Sequence, residues 1–323
     1  MSTPKVSIIM PIYDAERFIG VTIASILQQT FTDFELIIID DGSKDKTGEI
    51  AKNFAKIDSR IKYFHQENRG AGRLAETINE GIKHAKADLI ARADADDMWF
   101  DDKLEKQIDF LDKNPEYVLV GTGAEMATDD GHFKMMFLKP LDHEDIVRSL
   151  TIYNTFVHSA IIIRREALEK AGGYKNAHSA EDLALWQKVA KIGKLYNIPQ
   201  ALVQYRIAEE GISNKNSIKQ KNTADILYAN FFKENPPKFY GFLKISSRLK
   251  TLKKLKLSYG EYKCLKFKLL DDTRRIGFVY IQNGRMMLGA SQVVVITFFG
   301  PVGLFVVARA SIKSILNKLG YKR

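Results

Sequence analysis

Three carboxylates within four residues, Asp94, Asp96 and Asp97, follow an apolar, strand-like run that ends at Ala93. Carboxylates this close repel one another unless water, cations or a metal neutralise them. A hard divalent cation, Mg²⁺ or Mn²⁺, held by one or two of them and completed by water and a substrate's phosphates, is the usual arrangement in enzymes that handle nucleoside diphosphates. The alternative is a solvated acidic turn capping a helix that begins near Asp101. Two further acidic pairs could do chemistry. Asp40 and Asp41 end a second apolar run, and Glu181 and Asp182 open a helix whose dipole favours negative charge in its first turn. Adjacent carboxylates raise the pKa of one member, which suits a general base working near neutrality.

The hydrophobic pattern supplies elements to position these groups. Residues 6–10 form a short apolar run broken by Pro11, as expected of a buried parallel strand, and 14–29 carry apolar residues at helical spacing. A strand over 34–39, a helix over 45–55, a strand over 61–65, a glycine-containing loop over 68–73 and a helix to 86 lead to the strand that delivers Asp94. Four alternations with short joints predict an α/β fold with a doubly wound, mainly parallel sheet. Ligands bind beyond the carboxyl ends of such strands, and the loops 11–13, 40–41, 66–73 and 94–97 all fall there. Beyond Pro115 two strands around a turn at 128–131 predict a small antiparallel addition. Helices near 144–150 and after Arg165, a strand over 160–163, the Glu181 helix and a strand over 202–207 complete this half.

The charge divides the chain at about the same point. Of 323 residues, those from Lys215 onward hold 22 Lys and Arg against 5 Asp and Glu, whereas the preceding ones hold 27 against 34. A basic region on a mildly acidic body points to a polyanionic surface, nucleic acid or anionic lipid. Residues 250–256 are a dense basic run with Leu252 and Leu255 between the charges, as in a helix lying on an acidic surface. Residues 286–308 carry no charge, and a straight helix of that length would span about 34 Å. Gly300, Pro301 and Gly303 argue instead for a shallow helical hairpin or an in-plane helix, with an ordinary buried helix pair as the alternative. The single cysteine, Cys264, excludes an internal disulfide and a thiolate metal cage. The amino-terminal residues show no secretory pattern, and the composition excludes global disorder.

Five stretches now combine. Val6-Ser-Ile-Ile-Met-Pro-Ile-Tyr-Asp-Ala-Glu16, Asp40-Asp-Gly-Ser-x-Asp-x-Thr47, Asn79-x-Gly-x-x-x-Ala85, Ile90-Ala-Arg-Ala-Asp-Ala-Asp-Asp97, and Gly172-Gly-Tyr174 leading to Glu181-Asp-x-x-Leu-Trp186 resemble the family 2 inverting glycosyltransferases of the GT-A fold. The resemblance covers residues 5–214 and leaves the rest untouched. It implies a Rossmann-like GT-A catalytic domain over 1–214, with a mainly parallel central sheet and a small antiparallel addition. A mostly helical, basic, membrane-associating region over 215–323 follows. It also implies roles. Asp96 resembles the metal ligand and Asp94 the contact to the ribose or the metal's water shell, with Mn²⁺ or Mg²⁺ as cofactor. Asp41 resembles the carboxylate that accepts from the nucleotide base, with Tyr13 stacking near it and Pro11 on the same loop. Arg69 or Arg73 would meet the pyrophosphate, although the loop from Asn68 to Asn79 is longer than the family pattern. Tyr205 and Arg206, followed by Ser213, resemble the segment that closes over the pyrophosphate. Asp182 matches the base that takes the acceptor's proton, with Glu181 as its alternate. His158 would face the sugar or acceptor, or else is a satisfied core histidine; Trp99 and Trp186 would line the acceptor groove, or else Trp186 is core.

Neither tryptophan is preceded by Gln-x-x-Arg, the acceptor-groove signature of processive synthases, so one sugar per encounter is expected. The resulting expectation is a metal-dependent, inverting transferase that moves a sugar from a nucleoside-diphosphate sugar to a hydroxyl of a lipid-linked surface glycan. It would work at the cytoplasmic face of the membrane as a peripheral or monotopic protein on an anionic surface, with no nucleic-acid partner. Transfer onto polyprenyl phosphate is the enzymatic alternative. A non-catalytic nucleotide- or nucleic-acid-binding module is the alternative from another class, and it leaves the three acidic sets unexplained.

Overall fold

The computed structural model of the chain describes residues 3–128, 133–137, 139–151, 153–177, 180–206, 217–235, 293–296 and 305–308. They fall into two compact units, one running to Pro236 and the other beginning at Pro237.

The first unit is built on one nine-stranded sheet. Its parallel half comprises β1 (Val6–Ile12), β2 (Phe34–Asp40), β3 (Ile61–His65) and β4 (Leu89–Arg92), in the order β3-β2-β1-β4. The helices α1 (Ile19–Leu27), α2 (Thr47–Ile57) and α3 (Leu74–His84) connect them. Strands covered on both faces read as continuous apolar runs, and every residue of β1 and β2 is buried. Their side chains alternate between two cores. Ile8, Met10, Leu36, Ile38 and Ala91 share one core with Ile23 of α1, whereas Ile9, Ile37, Ile39 and Ile90 share the other with Ile78 of α3. Gly81 lets α3 approach, because a Cβ there would stand 2.6 Å from Ile9.

β1 continues through Pro11, where the residue pattern predicts a break. Ile9 accepts from the Ala93 N–H, so odd-numbered residues of β1 turn their polar backbone atoms toward β4. β4 ends opposite Ile9, and the missing N–H of Pro11 therefore falls where no ladder partner exists.

The second half of the sheet mixes directions. β5 (Met98–Trp99), β6 (Tyr117–Ala127), β7 (Phe133–Phe137), β8 (Ile162–Arg164) and β9 (Lys194–Arg206) continue the order as β4-β8-β6-β9-β5, with β7 antiparallel on β6 as the small addition. β8 is antiparallel to both β4 and β6, and β9 is parallel to β6. The expected strand over 202–207 is the last third of β9, which starts at Lys194. Between these strands lie α4 (Lys103–Lys113), α5 (His143–Ser149), α6 (Arg165–Lys170) and α7 (Glu181–Val189). The helix α8 (Ser217–Glu234) packs on α7 and buries Phe231, so the first unit takes in the opening of the basic region.

In the second unit the described residues are β10 (Val293–Ile296) and β11 (Phe305–Ala308), paired antiparallel with Val293 opposite Ala308. Strands thus stand where the absence of charge predicts a helical hairpin. Of these eight residues five are valine, one is isoleucine and one phenylalanine, and β-branched and aromatic side chains fit a pleated surface better than a helix. Among the described residues no helix is long and apolar enough to cross a membrane.

Candidate active site

The carboxyl ends of β1 and β2 are joined by backbone-to-side-chain hydrogen bonds running both ways. The Asp14, Ala15 and Glu16 N–H groups donate to Ser43 Oγ, Thr47 Oγ1 and Asp45 Oδ2 at 3.2, 2.6 and 3.1 Å. In return the Lys44 and Lys46 N–H groups donate to Asp14 Oδ1 and Glu16 Oε2 at 2.8 and 3.0 Å. Asp14 adopts a positive φ of 45°, which a short polar side chain bonded to the backbone tolerates. The spacing of Ser43, Asp45 and Thr47 is therefore a clamp between two loops, and it leaves Tyr13 exposed at their edge.

Of the two aspartates at the carboxyl end of β2, Asp40, its last residue, turns inward. It is 2% exposed and accepts from Tyr63 Oη at 2.6 Å and the Ser43 N–H at 2.9 Å, with His65 Nδ1 at 3.4 Å. Burial pushes its pKa up, but these hydrogen bonds outweigh it and hold the carboxyl below its ordinary value. Asp41 faces the loop after β3. Gln66 Nε2 donates to it at 2.5 Å and the Arg69 N–H at 3.2 Å, while Asn68 Nδ2 donates to its carbonyl oxygen at 2.8 Å.

The acidic turn beyond β4 is braced by two arginines. Arg92, 2% exposed, donates through Nη2 to Asp94 Oδ1 at 2.6 Å and through Nη1 to the Ala93 carbonyl oxygen. Arg206, from the end of β9, donates through Nε to the Asp96 carbonyl oxygen at 3.0 Å and through Nη1 to that of Thr128 at 3.2 Å, and its guanidinium lies 4.2 Å from the Phe18 ring centroid. Asp97 is buried; it accepts from Ser159 Oγ and from the Arg206 N–H at 3.0 Å. Burial and the neighbouring Asp96 and Asp94 still push its pKa well above the ordinary value. Burial followed by repulsion from Asp94 raises the Asp96 carboxyl to about 6, against the opposing pull of its own backbone N–H and of Arg206 and Arg92.

Glu181 and Asp182, the first two residues of α7, come to the same place. Burial and then Asp182 raise Glu181 to about 7, with Arg92 pulling it down and Asp94 pushing it up. Asp182 accepts from Asn154 Nδ2 at 2.5 Å and from the Leu183 N–H at 2.7 Å. The buried Arg92 guanidinium also acts on Asp96, His158 and Tyr174, so one cation stands among carboxylates separated by some ninety residues of chain. His158 is partly exposed, with Nε2 2.9 Å from Tyr174 Oη and its ring edge-on to Trp186; burial and Arg92 lower its pKa to about 4, so it is neutral.

Other expected residues are turned into the core or held by local ion pairs. Trp186 is 0% exposed, in the core beside Phe156 and Tyr174. Trp99, expected in an acceptor groove, is 2% exposed with Lys103 Nζ 3.6 Å from its ring centroid, because the pairing of β5 with β9 turns it into the core. Arg73 pairs with Glu76 at 2.6 Å, and Arg69 stands 3.8 Å from Glu76 and 3.9 Å from Glu80, so α3 holds both guanidiniums. Ser213 lies outside the described residues. Pro11 is buried in β1 behind Tyr13 in sequence.

Residue types alone did not single out Arg92, Asn154, Lys139, Ser159 or Gln66. Only Arg92 carried a signal, as a charge inside a central apolar strand. Asn79 was quoted without a role; its side chain donates to the Tyr174 carbonyl oxygen at 2.8 Å and accepts the Tyr174 N–H at 3.1 Å, pinning the turn whose Gly172 and Gly173 have φ of 80° and 66°.

The donor set of the acidic turn suits a hard cation. Asp96 carries a carboxylate whose charge its surroundings offset only in part, and Asp94 keeps an oxygen beyond the one bound to Arg92. Among the described residues no three His, Cys, Asp or Glu side chains form a closed cage. Two carboxylates with the remaining positions left to water and phosphate is the pattern of a diphosphate-bound divalent ion.

The family described as Glycosyl transferase family 2 matches residues 7–172. The O-antigen biosynthesis glycosyltransferase WbnJ of Escherichia coli is 32% identical over 208 residues, which are 62% of this chain and 79% of that protein. Residues 1–349 of S. aureus TarS, solved in complex with UDP-GlcNAc, align with a TM-score of 0.56 at 16% identity over 88% of this chain and 96% of that one. The mannosyltransferase PcManGT from Pyrobaculum calidifontis, solved with GDP-Man and Mn2+, aligns with a TM-score of 0.51 at 18% identity over 85% and 89%. At these identities the two structures establish the common fold.

Proposed function

The chain belongs to glycosyl transferase family 2 and is a glycosyltransferase of glycan biosynthesis; from that premise we propose that it moves one sugar, with inversion and with a divalent cation, from a nucleoside-diphosphate sugar to a hydroxyl of a lipid-linked surface glycan. The observation that carries this reading is the meeting of Asp94 and Asp96 with Glu181 and Asp182 around Arg92. A leaving-group site and a base site then lie on one sheet edge, as a direct displacement requires.

Asp182 accepts the proton of the acceptor hydroxyl as its oxygen attacks the anomeric carbon. The bond from that carbon to the diphosphate oxygen breaks on the opposite face, and the nucleoside diphosphate departs. Glu181, raised to about 7, exchanges protons readily at neutral pH and is the alternate base. Asp96 and Asp94 would hold the cation, which would supply positive charge to offset that developing on the diphosphate. The Mn2+ bound with GDP-Man by PcManGT supports a divalent ion. Asp41, oriented by Gln66, accepts from the nucleotide base while Tyr13 stacks beside it. Arg206 holds the acidic turn in shape, and His158, neutral and partly exposed, faces the sugar or acceptor.

The name of WbnJ, an O-antigen biosynthesis enzyme, supports a surface-glycan acceptor. The basic residues from Lys215 onward support attachment to an anionic leaflet on the cytoplasmic side. Co-sedimentation with vesicles rich in anionic lipid tests this: full-length protein should pellet at low salt and a chain ending at Pro236 should not.

A thermal-shift screen tests the reading itself. With Mn²⁺ present, one of UDP, GDP or their sugar conjugates should raise the melting temperature, since a ligand at 100 times its Kd adds about 2.7 kcal/mol. No shift with any nucleotide would sink the donor assignment. Asp182→Asn should then bind the same nucleotide but lose transfer by about 10²- to 10⁴-fold.

A further inference from the structure

Asn154, in the loop between α5 and β8, makes two hydrogen bonds with opposite ends of its amide. Nδ2 donates to Asp182 Oδ2 at 2.5 Å and Oδ1 accepts from the Phe156 N–H at 3.2 Å. The second bond fixes which end is which, because the flipped amide would set an oxygen against the carboxylate and an NH₂ group against an N–H. Asp182 Oδ1 accepts from the Leu183 N–H at 2.7 Å, so both oxygens are held and the plane of the carboxylate is set. Lys139 stands behind this contact. Its Nζ donates to the Asn154 carbonyl oxygen at 2.8 Å; burial lowers its pKa to about 7, and the Asp182 charge opposes that fall by favouring the ammonium. Asn197, wholly buried on β9, ties the segments that carry them: its Nδ2 donates to the Pro140 and Thr155 carbonyl oxygens at 2.8 and 3.1 Å. The Asn154 side of this support is thus anchored to the sheet rather than to α7.

We propose that Asn154 and Lys139 are positioning residues for Asp182, the amide setting the orientation of the carboxylate and the ammonium complementing its charge. This rests on the reading of Asp182 as the base. A general base must reach its proton within a normal hydrogen-bond length, and a misplacement of about 1 Å costs on the order of 10²-fold in rate. An amide that holds one carboxylate oxygen at the mouth of a helix supplies that accuracy.

Two measurements on the full chain test it. The first is a double-mutant cycle in melting temperature for Asn154→Ala, Asp182→Asn and the pair, which needs no substrate. The shifts should be non-additive; additive shifts overturn the contact. The second follows nucleotide release from UDP-N-acetylglucosamine and from GDP-mannose with Mn²⁺. Asn154→Asp keeps the acceptor for the Phe156 N–H, and therefore the loop, but sets a carboxylate against Asp182. It should lower kcat by about 10²-fold with the donor KM within about twofold. Lys139→Met should lower kcat by about tenfold and Lys139→Arg should restore most of it. A wild-type kcat in Asn154→Asp, or a loss that Lys139→Arg fails to recover, overturns the proposal. An active Asp182→Asn enzyme would instead remove the premise, while the coupling in stability would stand.

Discussion

Asp40 and Asp97 are both buried aspartates at the carboxyl-end edge of the parallel strands, and both accept hydrogen bonds, yet one is held below the ordinary carboxylate pKa and the other well above it. Asp40 receives donors from Tyr63, Ser43 and His65. Asp97 receives two, from Ser159 and the Arg206 backbone, and has Asp96 and Asp94 close by. Burial acts the same way on each, so the count of donors against neighbouring carboxylates decides the sign. The contrast extends to the turns as wholes. The turn after β2 is satisfied by the protein, and the turn after β4 is left with negative charge for something else to neutralise.

Removing a carboxylate from each turn tests that difference, and the largest effect is expected on catalysis. Asp96→Asn should reduce transfer by about 10²- to 10⁴-fold, a loss of the size expected when charge stabilisation at the leaving group fails. Asp40→Asn should leave a folded enzyme with its nucleotide affinity but lower its stability by about 1–3 kcal/mol, because it weakens three hydrogen bonds to a buried group. In the metal-free protein Asp96→Asn should do the reverse and raise stability at pH 7 by on the order of 1 kcal/mol, after allowance for solvent screening. Equal losses of stability in the two variants would erase the distinction.

The pH dependence sharpens it further. The folded-state pKa of Asp96, about 6, lies above its unfolded value near 4. Its contribution to stability is therefore complete below pH of about 4 and is lost as pH rises through about 6. Asp40 is shifted the other way, so its contribution is present above about pH 4 and is lost as pH falls through its folded value. Unfolding of the two variants followed from pH 4 to 7 should thus show the Asp96→Asn gain growing with pH, and the Asp40→Asn loss persisting at pH 7. The smallest effect is expected at the surface. Arg73→Ala removes a pair with Glu76 on an exposed helix start and should leave turnover unchanged; a rise in donor KM would return Arg73 to the diphosphate site.

Much of the fold was legible in the residue pattern because parallel strands covered on both faces must be apolar throughout. The runs at β1, β2 and β4 could be read directly, as could the polar loops at their carboxyl ends. Strand lengths were less legible. Pro11 marks an end in most strands, but not where the neighbouring strand has already stopped. The start of β9 at Lys194 carries alternating polar residues that fit a strand only once β6 lies beside it. At the site, acidic residues were visible because a carboxylate is conspicuous at a strand end. Asn154, Ser159 and Lys139 were not, since an amide, a hydroxyl and a surface-type lysine occur everywhere in a sequence and acquire meaning only from what they touch.

The two tryptophans draw the same line from the other side. As residue types they suit a sugar-binding groove, but their place in a cross-strand pair and in a helix core turns both inward. The sequence by itself determined the alternation of strands and helices, the chemical character of the sheet edge and the charge difference between the two parts of the chain. These depend on local periodicity and composition, which need no partner to be read. Tertiary structure alone decided which carboxylates are satisfied, that Arg92 stands among those of β4 and α7, and that Asn154 holds Asp182. Those outcomes depend on distances between residues far apart along the chain, which only packing sets.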